Sequence, residues 1–293
     1  DFIGQTQKIW QELTAKPATF TPAELVVIAD EDDYSLTTEQ VNVWNGPNYH
    51  TIRNNQDAFL RSGLKYDFYY FSDVLARNMK DYRVYVFSNI FLLSPEKRAF
   101  IDSLKRDGKT LVFLYAPGFM NGEKTMKELT GIDIRQCDRR SKLARFEKSS
   151  SPLLKGVSGQ RVGLGIDMPG ERFEVSDSKA VPLTRYADGK IAGAMRTFRG
   201  WNSIYLATPS CFTPEFLQNI ARFGGVHIYN TPGDMFFHHR DDLLVLHGVE
   251  GNTNQLRFPY PVELQDLYTG EVLGEPAVKL KPGESRLFRV KRR

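Results

Sequence analysis

Cysteine is scarce. There are only two, Cys137 and Cys211, far apart, so neither a disulfide framework nor a cysteine metal site is expected. No apolar run approaches the roughly 18–20 residues needed to span a bilayer, so no membrane segment is expected. No signal-peptide core opens the chain. It starts at Asp1 rather than methionine, which reads as a processed product or a piece of something longer. Charge of one sign is also missing: 39 basic residues face 35 acidic ones, a net of +4, too mild and well mixed for a nucleic-acid partner. Arg139-Arg140 with Lys142, and Lys291-Arg292-Arg293, read as a solvated loop and a frayed tail. What is present, 41% hydrophobic and 25% charged residues over 293 positions, suits one large globular domain or two ordinary ones.

The clearest signal lies in Asp81–Gly118. Arg83–Phe87 is apolar and rich in aromatic and β-branched residues, as in a buried strand. Ser94-Pro95-Glu96 reads as an N-cap followed by proline at the first helical position. Phe100, Ile101 and Leu104 then share one helical face, Asp107-Gly108 stops the helix, and Thr110–Tyr115 is a second strand. Strand, helix, strand makes a right-handed parallel βαβ unit. More strands are expected at Glu24–Ala29 and Tyr66–Phe71, with helices at Asn54–Ser62 and Ser72–Arg77. This alternation predicts an α/β fold with a mostly parallel sheet and helices on both faces. An amphipathic helix at Phe2–Leu13, with Ile3, Ile9, Trp10 and Leu13 as apolar contacts, precedes a proline-bearing link at Lys16–Pro22.

After Gly131 the pattern loosens. Short strand-like pieces include Arg161–Ile166 and Ala192–Phe198. Order returns with a strand at Trp201–Ala207. Thr213 caps a helix whose apolar face is Phe216, Leu217, Ile220, Ala221 and Phe223, and Val226–Tyr229 is a last short strand. From Asp234, five short strands separated by turn residues predict a small all-β domain, a sandwich or sheet. The expected division is 1–22 for helix and linker, 23–233 for the α/β domain and 234–293 for the β domain.

Candidate chemistry is thin. Asp30, Glu31, Asp32 and Asp33 follow the first strand, where carboxylates could hold magnesium in a metal-dependent phosphatase. A receiver domain would also want an aspartate where Ser88-Asn89 stands, and a phosphatase needs a lysine and a later acidic pair that no motif supplies. His238-His239, with His247 across a hairpin, resembles a metal string, but neighbours on a strand point to opposite faces. Gly163-Leu164-Gly165 with Gly170 lacks the dinucleotide spacing. Cys211 precedes a helix N-terminus, which lowers a thiol pKa, though a buried inert thiol is the expectation. Trp44, Trp201, Tyr260 and Tyr268 could stack on a sugar, but core and interface roles are commoner. No catalytic, cofactor or metal residue is assigned.

The order of these segments resembles the C-terminal portion of family forty-two glycoside hydrolases, the bacterial β-galactosidases. FIGQTQKIWQEL is similar to the helix leading out of that family's catalytic (β/α)8 barrel. ELVVIADEDDYS and VYVFSNIFLLSPEKRAFIDSLKRDGKTLVFLYAPG resemble its first strand and middle βαβ. WNSIYLATPSCFTPEFLQNIARFGGVHIY resembles its returning strand and last helix. VELQDLYTGEVLG with KLKPGESRLFRV resembles its closing β domain. The resemblance implies a flavodoxin-like, class I glutamine-amidotransferase-like domain, the β-galactosidase trimerisation domain, and then a small β-sandwich. It implies a structural and oligomerisation role, an N-terminal barrel in the same polypeptide and a homo-oligomer. A periplasmic or secreted parent is a further expectation. Amidotransferases carry a cysteine on the elbow after the strand matched by Thr110–Tyr115; here Ala116-Pro117-Gly118 stands there, so the thiolate is lacking. A carbohydrate- or small-molecule-binding domain is the alternative, and the phosphatase built on Asp30 or Asp32 is the second.

Overall fold

The structure, a computed structural model, describes residues 2–15, 23–36, 46–76, 79–138, 141–164 and 171–293. Lys16–Pro22, Trp44, Arg77, Arg139-Arg140, Gly165, Gly170 and the side chain of Leu13 lie outside the described residues. Two compact units divide the chain: residues 24–59 with 66–226, and residues 1–23 with 60–65 and 227–293.

The chain opens with α1 (Phe2–Thr14), which belongs to the second of these units. Gln5 donates to the Tyr268 carbonyl at 2.6 Å, and Ile9 is buried. Ile3 and Trp10, expected as apolar contacts, are instead 74% and 67% exposed.

The larger unit is built on one sheet. β1 (Leu25–Ala29), β2 (Tyr66–Tyr70), β3 (Val84–Phe87) and β4 (Lys109–Leu114) are parallel, in the order β2-β1-β3-β4. Every residue of β1, β3 and β4 is buried, which explains their unbroken apolar runs: a strand covered on both faces has no polar alternation. Short helices α2 (Asp33–Leu36), α3 (Asn54–Arg61) and α4 (Phe71–Ala76) precede α5 (Pro95–Ser103). The Ser94 hydroxyl accepts from the Lys97 N–H at 3.3 Å, so the cap and proline signals work as read.

After α6 (Glu123–Thr130), the loosened stretch becomes more sheet. β5 (Ile134–Cys137), β6 (Lys142–Phe146), β7 (Arg161–Leu164), β8 (Arg172–Val175), β9 (Val181–Tyr186) and β10 (Ile191–Phe198) pair antiparallel, and β11 (Trp201–Leu206) returns parallel to β4. Among the described residues the sheet has 11 strands and is mixed, rather than mostly parallel. The parallel expectation failed here because pairing direction depends on a remote partner strand, which local composition does not encode. α7 (Pro214–Phe223) is capped by Thr213 and buries Phe216, Leu217, Ile220 and Ala221, each worth about 1.5–3 kcal/mol for the large side chains. Phe223, expected on that face, is exposed.

In the other unit, the expected strand at Val226–Tyr229 reduces to a single bridge between Leu64 and Ile228. β12 (Met235–Arg240), β13 (Leu243–Gly248), β15 (Val262–Asp266), β16 (Val272–Leu273) and β18 (Ser285–Arg292) form an antiparallel sheet, and β14 (Thr253–Gln255) pairs with β17 (Ala277–Lys279). Phe237, Leu244, Leu264, Val278 and Phe288 share its core. Lys291 and Arg292 are laddered to Glu263 and Val262, so the basic terminus is a paired strand end rather than a frayed tail. No described helix is long and apolar enough to cross a membrane.

Candidate functional site at the carboxyl ends of the parallel strands

Ligands of α/β sheets bind at the carboxyl ends of the strands, so the residues following β1, β3, β4 and β11 define the candidate site. Asp30, directly after β1, is fully buried. The Lys97 ammonium, from the first turn of α5, lies 2.8 and 2.7 Å from its two carboxylate oxygens and 2.8 Å from Asp32. Burial raises the Asp30 pKa despite the lysine. Burial opposes charge on Lys97 too, but hydrogen bonds to Asp30 and Asp32 outweigh it and raise its pKa. Glu31 accepts from the Phe71 and Ser72 N–H groups at 3.0 and 3.1 Å, capping the start of α4. These bonds overcome partial burial and lower its pKa. Asp33, fully buried, accepts from the Phe91 and Leu92 N–H groups. Burial, reinforced by Asp30 and opposed by the Phe91 bond, pushes it up to about 7.

Each member of the acidic cluster therefore has a protein partner. The ammonium lies between Asp30 and Asp32, where a magnesium ion bridging the two would need to be. Among the described residues no group of three or more His, Cys, Asp or Glu side chains is placed to hold a metal. Lys97 is the lysine that no sequence motif pointed to; it lies 67 positions from Asp30. Only the helix phase set by the Ser94 cap could have marked it as inward-facing.

Side-chain amides link the loops at this end. Asn89 Oδ1 accepts from the Asp30 N–H, and its Nδ2 donates to the Asp30 carbonyl and to Asn48 Oδ1, all at 2.8 Å. Asn48 in turn donates to the Asp33 carbonyl at 3.3 Å. Beyond β11, Asn55 donates to the Pro209 carbonyl at 2.8 Å and accepts from the Cys211 and Phe212 N–H groups. Three buried asparagines thus tie the loops after β1, β3 and β11; Asn89 was noted from sequence only as standing where a receiver domain has an aspartate, and Asn48 and Asn55 were not singled out. His50 is also buried; its Nδ1 is 2.6 Å from Asn54 Nδ2, its Nε2 has no hydrogen-bond partner, and burial lowers its pKa.

At the elbow after β4, Tyr115, just before Ala116-Pro117-Gly118, takes the left-handed backbone, with φ of 59°. A non-glycine residue there costs on the order of 1–2 kcal/mol. Its hydroxyl donates to the Glu171 carbonyl at 2.8 Å, and its own carbonyl accepts from the buried Tyr205 hydroxyl at 2.6 Å. Burial raises the phenol's pKa, so it is held neutral. Gly118, at φ 68°, lets α6 pack close: a Cβ there would meet Thr125 and Leu129 at 2.7 and 2.8 Å.

The remaining candidates do not converge. His239 points into the core of its sheet while His238 is exposed, and His247 lies opposite Phe236, with Nδ1 2.8 Å from Ser285 Oγ. Cys211 is buried and its thiol is pushed well up by burial. Cys137 is half-buried, and Lys142, expected in a solvated loop, is buried. Trp201 is buried and stacked on Phe198, Tyr260 lies under the Arg292 guanidinium at 4.7 Å, and the Tyr268 hydroxyl is 3.1 Å from Thr6.

No protein-family description matches the chain, and no curated protein does. Solved structures do. The β-galactosidase from Bacillus circulans sp. alkalophilus is similar at a TM-score of 0.65 and 16% identity, over 91% of this chain and 41% of that one. The β-galactosidase from Rahnella sp. R3 gives 0.66 and 15%, over 93% and 41%. Gan42B, a GH42 β-galactosidase from G. stearothermophilus, gives 0.63 and 16%, over 93% and 41%. The chain therefore has the fold of a part of these proteins, and spans about two fifths of their length.

Proposed function

We propose that this chain is the non-catalytic support and assembly portion of a glycoside hydrolase of the β-galactosidase class. The observation that carries the reading is the internal pairing of the chemical groups at the carboxyl ends of the strands: Lys97 neutralises Asp30 and Asp32, asparagines tie the loops, and a neutral tyrosine holds the elbow. An α/β scaffold whose strand-end carboxylates are taken up by its own side chains offers little for catalysis there. The fold shared with two fifths of several β-galactosidases supports the choice of parent. The parallel order β2-β1-β3-β4-β11 supports a flavodoxin-like reading of this half of the sheet, and the left-handed turn at Tyr115, just before Ala116-Pro117-Gly118, supports an amidotransferase-like ancestor without its nucleophile. The catalytic carboxylates would come from another portion of the polypeptide, and the chain would associate with further copies of itself.

The test is direct. The chain alone, assayed on a chromogenic β-galactoside, is expected to show no turnover. Turnover abolished by Asp32→Ala would place catalysis in this chain and end the reading.

A further inference from the structure

Cys137 stands at the end of β5, which pairs with β8 and, among the described residues, with no other strand. Its thiol is half-buried and in no disulfide. Directly across the antiparallel pair is Arg172. Residues opposite each other in such a pair project from one face with Cβ atoms about 4.5–5.5 Å apart, so the thiol and the arginine are neighbours. The next pair on that face, Arg135 and Glu174, bears out the alternation with an ion pair of 3.2 Å.

Arg172 has one donor to spare. The side chain is 3% exposed, and its guanidinium lies 3.7 Å over the Tyr186 ring. One terminal nitrogen, Nη2, takes Glu174 at 3.0 Å and the two oxygens of Asp188 at 3.0 and 2.8 Å. The Nε–H is buried with no hydrogen-bond partner. A buried donor on a charged group is seldom left unmade, and such a case calls for an acceptor that the folded chain does not itself supply. Burial raises the Tyr186 phenol's pKa; Arg172 opposes this and Cys137 adds to it, so thiol and guanidinium act on the same ring. The fixed charges balance, Arg135 and Arg172 against Glu174 and Asp188. What the site offers a thiol is therefore one uncommitted N–H rather than net charge.

We propose that Cys137 is a peroxide-sensitive thiol whose sulfenate oxygen is held by the Arg172 Nε–H. The sulfur attacks one oxygen of a hydroperoxide, and an S–O bond forms as the O–O bond breaks. Sulfur is oxidised by two electrons, the peroxide is reduced to water or an alcohol, and the thiol's proton leaves with the departing oxygen. The same N–H steadies the oxygen as it is transferred, because a charge-assisted donor favours developing negative charge. Cys211 takes no part: it is 1% exposed, and burial pushes its thiol well up. The sulfenate thus forms no disulfide within the chain and is open to a small external thiol. This site goes beyond the support role and does not depend on it.

Hydrogen peroxide followed by dimedone on the full chain tests it, with peptide mass mapping to separate the two cysteines. The dimedone adduct is expected on Cys137 and not on Cys211; a chain unlabelled at Cys137 ends the proposal. At equal pH, Cys137 of the folded chain should label at least about tenfold faster than the same residue in the urea-unfolded chain, and an equal or slower rate overturns the proposal. Arg172→Lys keeps a cation for Glu174 and Asp188 but has no N–H at the Nε position. It should slow labelling of Cys137 by about tenfold while near-UV circular dichroism stays that of the wild type, and unchanged labelling overturns the role of Arg172. Should that variant misfold, the ratio of folded to unfolded rates in the wild type decides alone.

Discussion

His239 sits on β12 with its side chain turned into the core of the small β unit, only 4% exposed. Tyr229 and Phe258 meet its ring edge-on, with centroids 5.3 and 5.7 Å away. Neither ring nitrogen has a hydrogen-bond partner; the Asp241 backbone approaches without completing one. Burial, then the charge of Lys65, with a small part from His238, drives the imidazole down to about 3. A folded pKa below the unfolded one means that, for a base, protons are bound preferentially by the unfolded chain. The contribution to stability is therefore complete above about pH 6.5 and is lost as pH falls toward 3. Linkage gives a loss of about 2 kcal/mol between neutrality and pH 5, and about 3 kcal/mol by pH 4. His239→Phe keeps an aromatic ring in the cage and removes the titration, at a pH-independent packing cost of about 1 kcal/mol. Urea unfolding of both chains from pH 7 to pH 4, with amide exchange at Phe237, Leu244 and Leu246 reporting on the unit itself, yields the difference curve. Wild type should fall relative to the variant by those amounts. Parallel curves would refute the burial argument, because they require the folded imidazole to find a proton-stabilising partner that the cage does not show.

Two further outcomes follow from the crevice. Lys97→Met strips the buried Asp30 of its cation and should cost ~3–5 kcal/mol by urea unfolding, while Asp30→Asn/Lys97→Met recovers most of that loss; a single-variant cost below about 1 kcal/mol would mean the pair is solvated. Asp33, pushed up to about 7, should titrate near that value by carboxyl carbon NMR. Its raised pKa favours folding fully below about pH 4 and loses that contribution as pH rises through 7, so Asp33→Asn should flatten this part of the profile, and a midpoint near 4 would contradict the burial.

The elements that came through intact from sequence are those whose signals are local. Ser94-Pro95 and Thr213-Pro214 place helix starts because a cap and its N–H partner are three residues apart. The runs read as strands at Arg83–Phe87 and Thr110–Tyr115 fall at Val84–Phe87 and Lys109–Leu114, each shifted by one residue, and their unbroken apolar character follows from both faces being covered. The antiparallel half after Gly131 was not legible as one sheet, because β6 pairs with β9 and β10 with β11 through registers that composition does not specify. Trp10 and Ile3 were misread for a related reason: an amphipathic pattern says that a face is apolar, not what covers it.

Sequence alone determined the order of the strands and helix of the βαβ core, to within a residue at the strand ends and the helix start, and that no cysteine stands on the elbow directly after β4. It also showed four acidic residues beyond β1. Which partners they meet was decided only by tertiary structure, which brings Lys97 from α5 and Asn89 from the β3 loop onto Asp30. The physical reason is the range of the forces: caps and strand patterns act within a few residues, whereas neutralising a buried carboxylate needs a partner that only the folded sheet delivers.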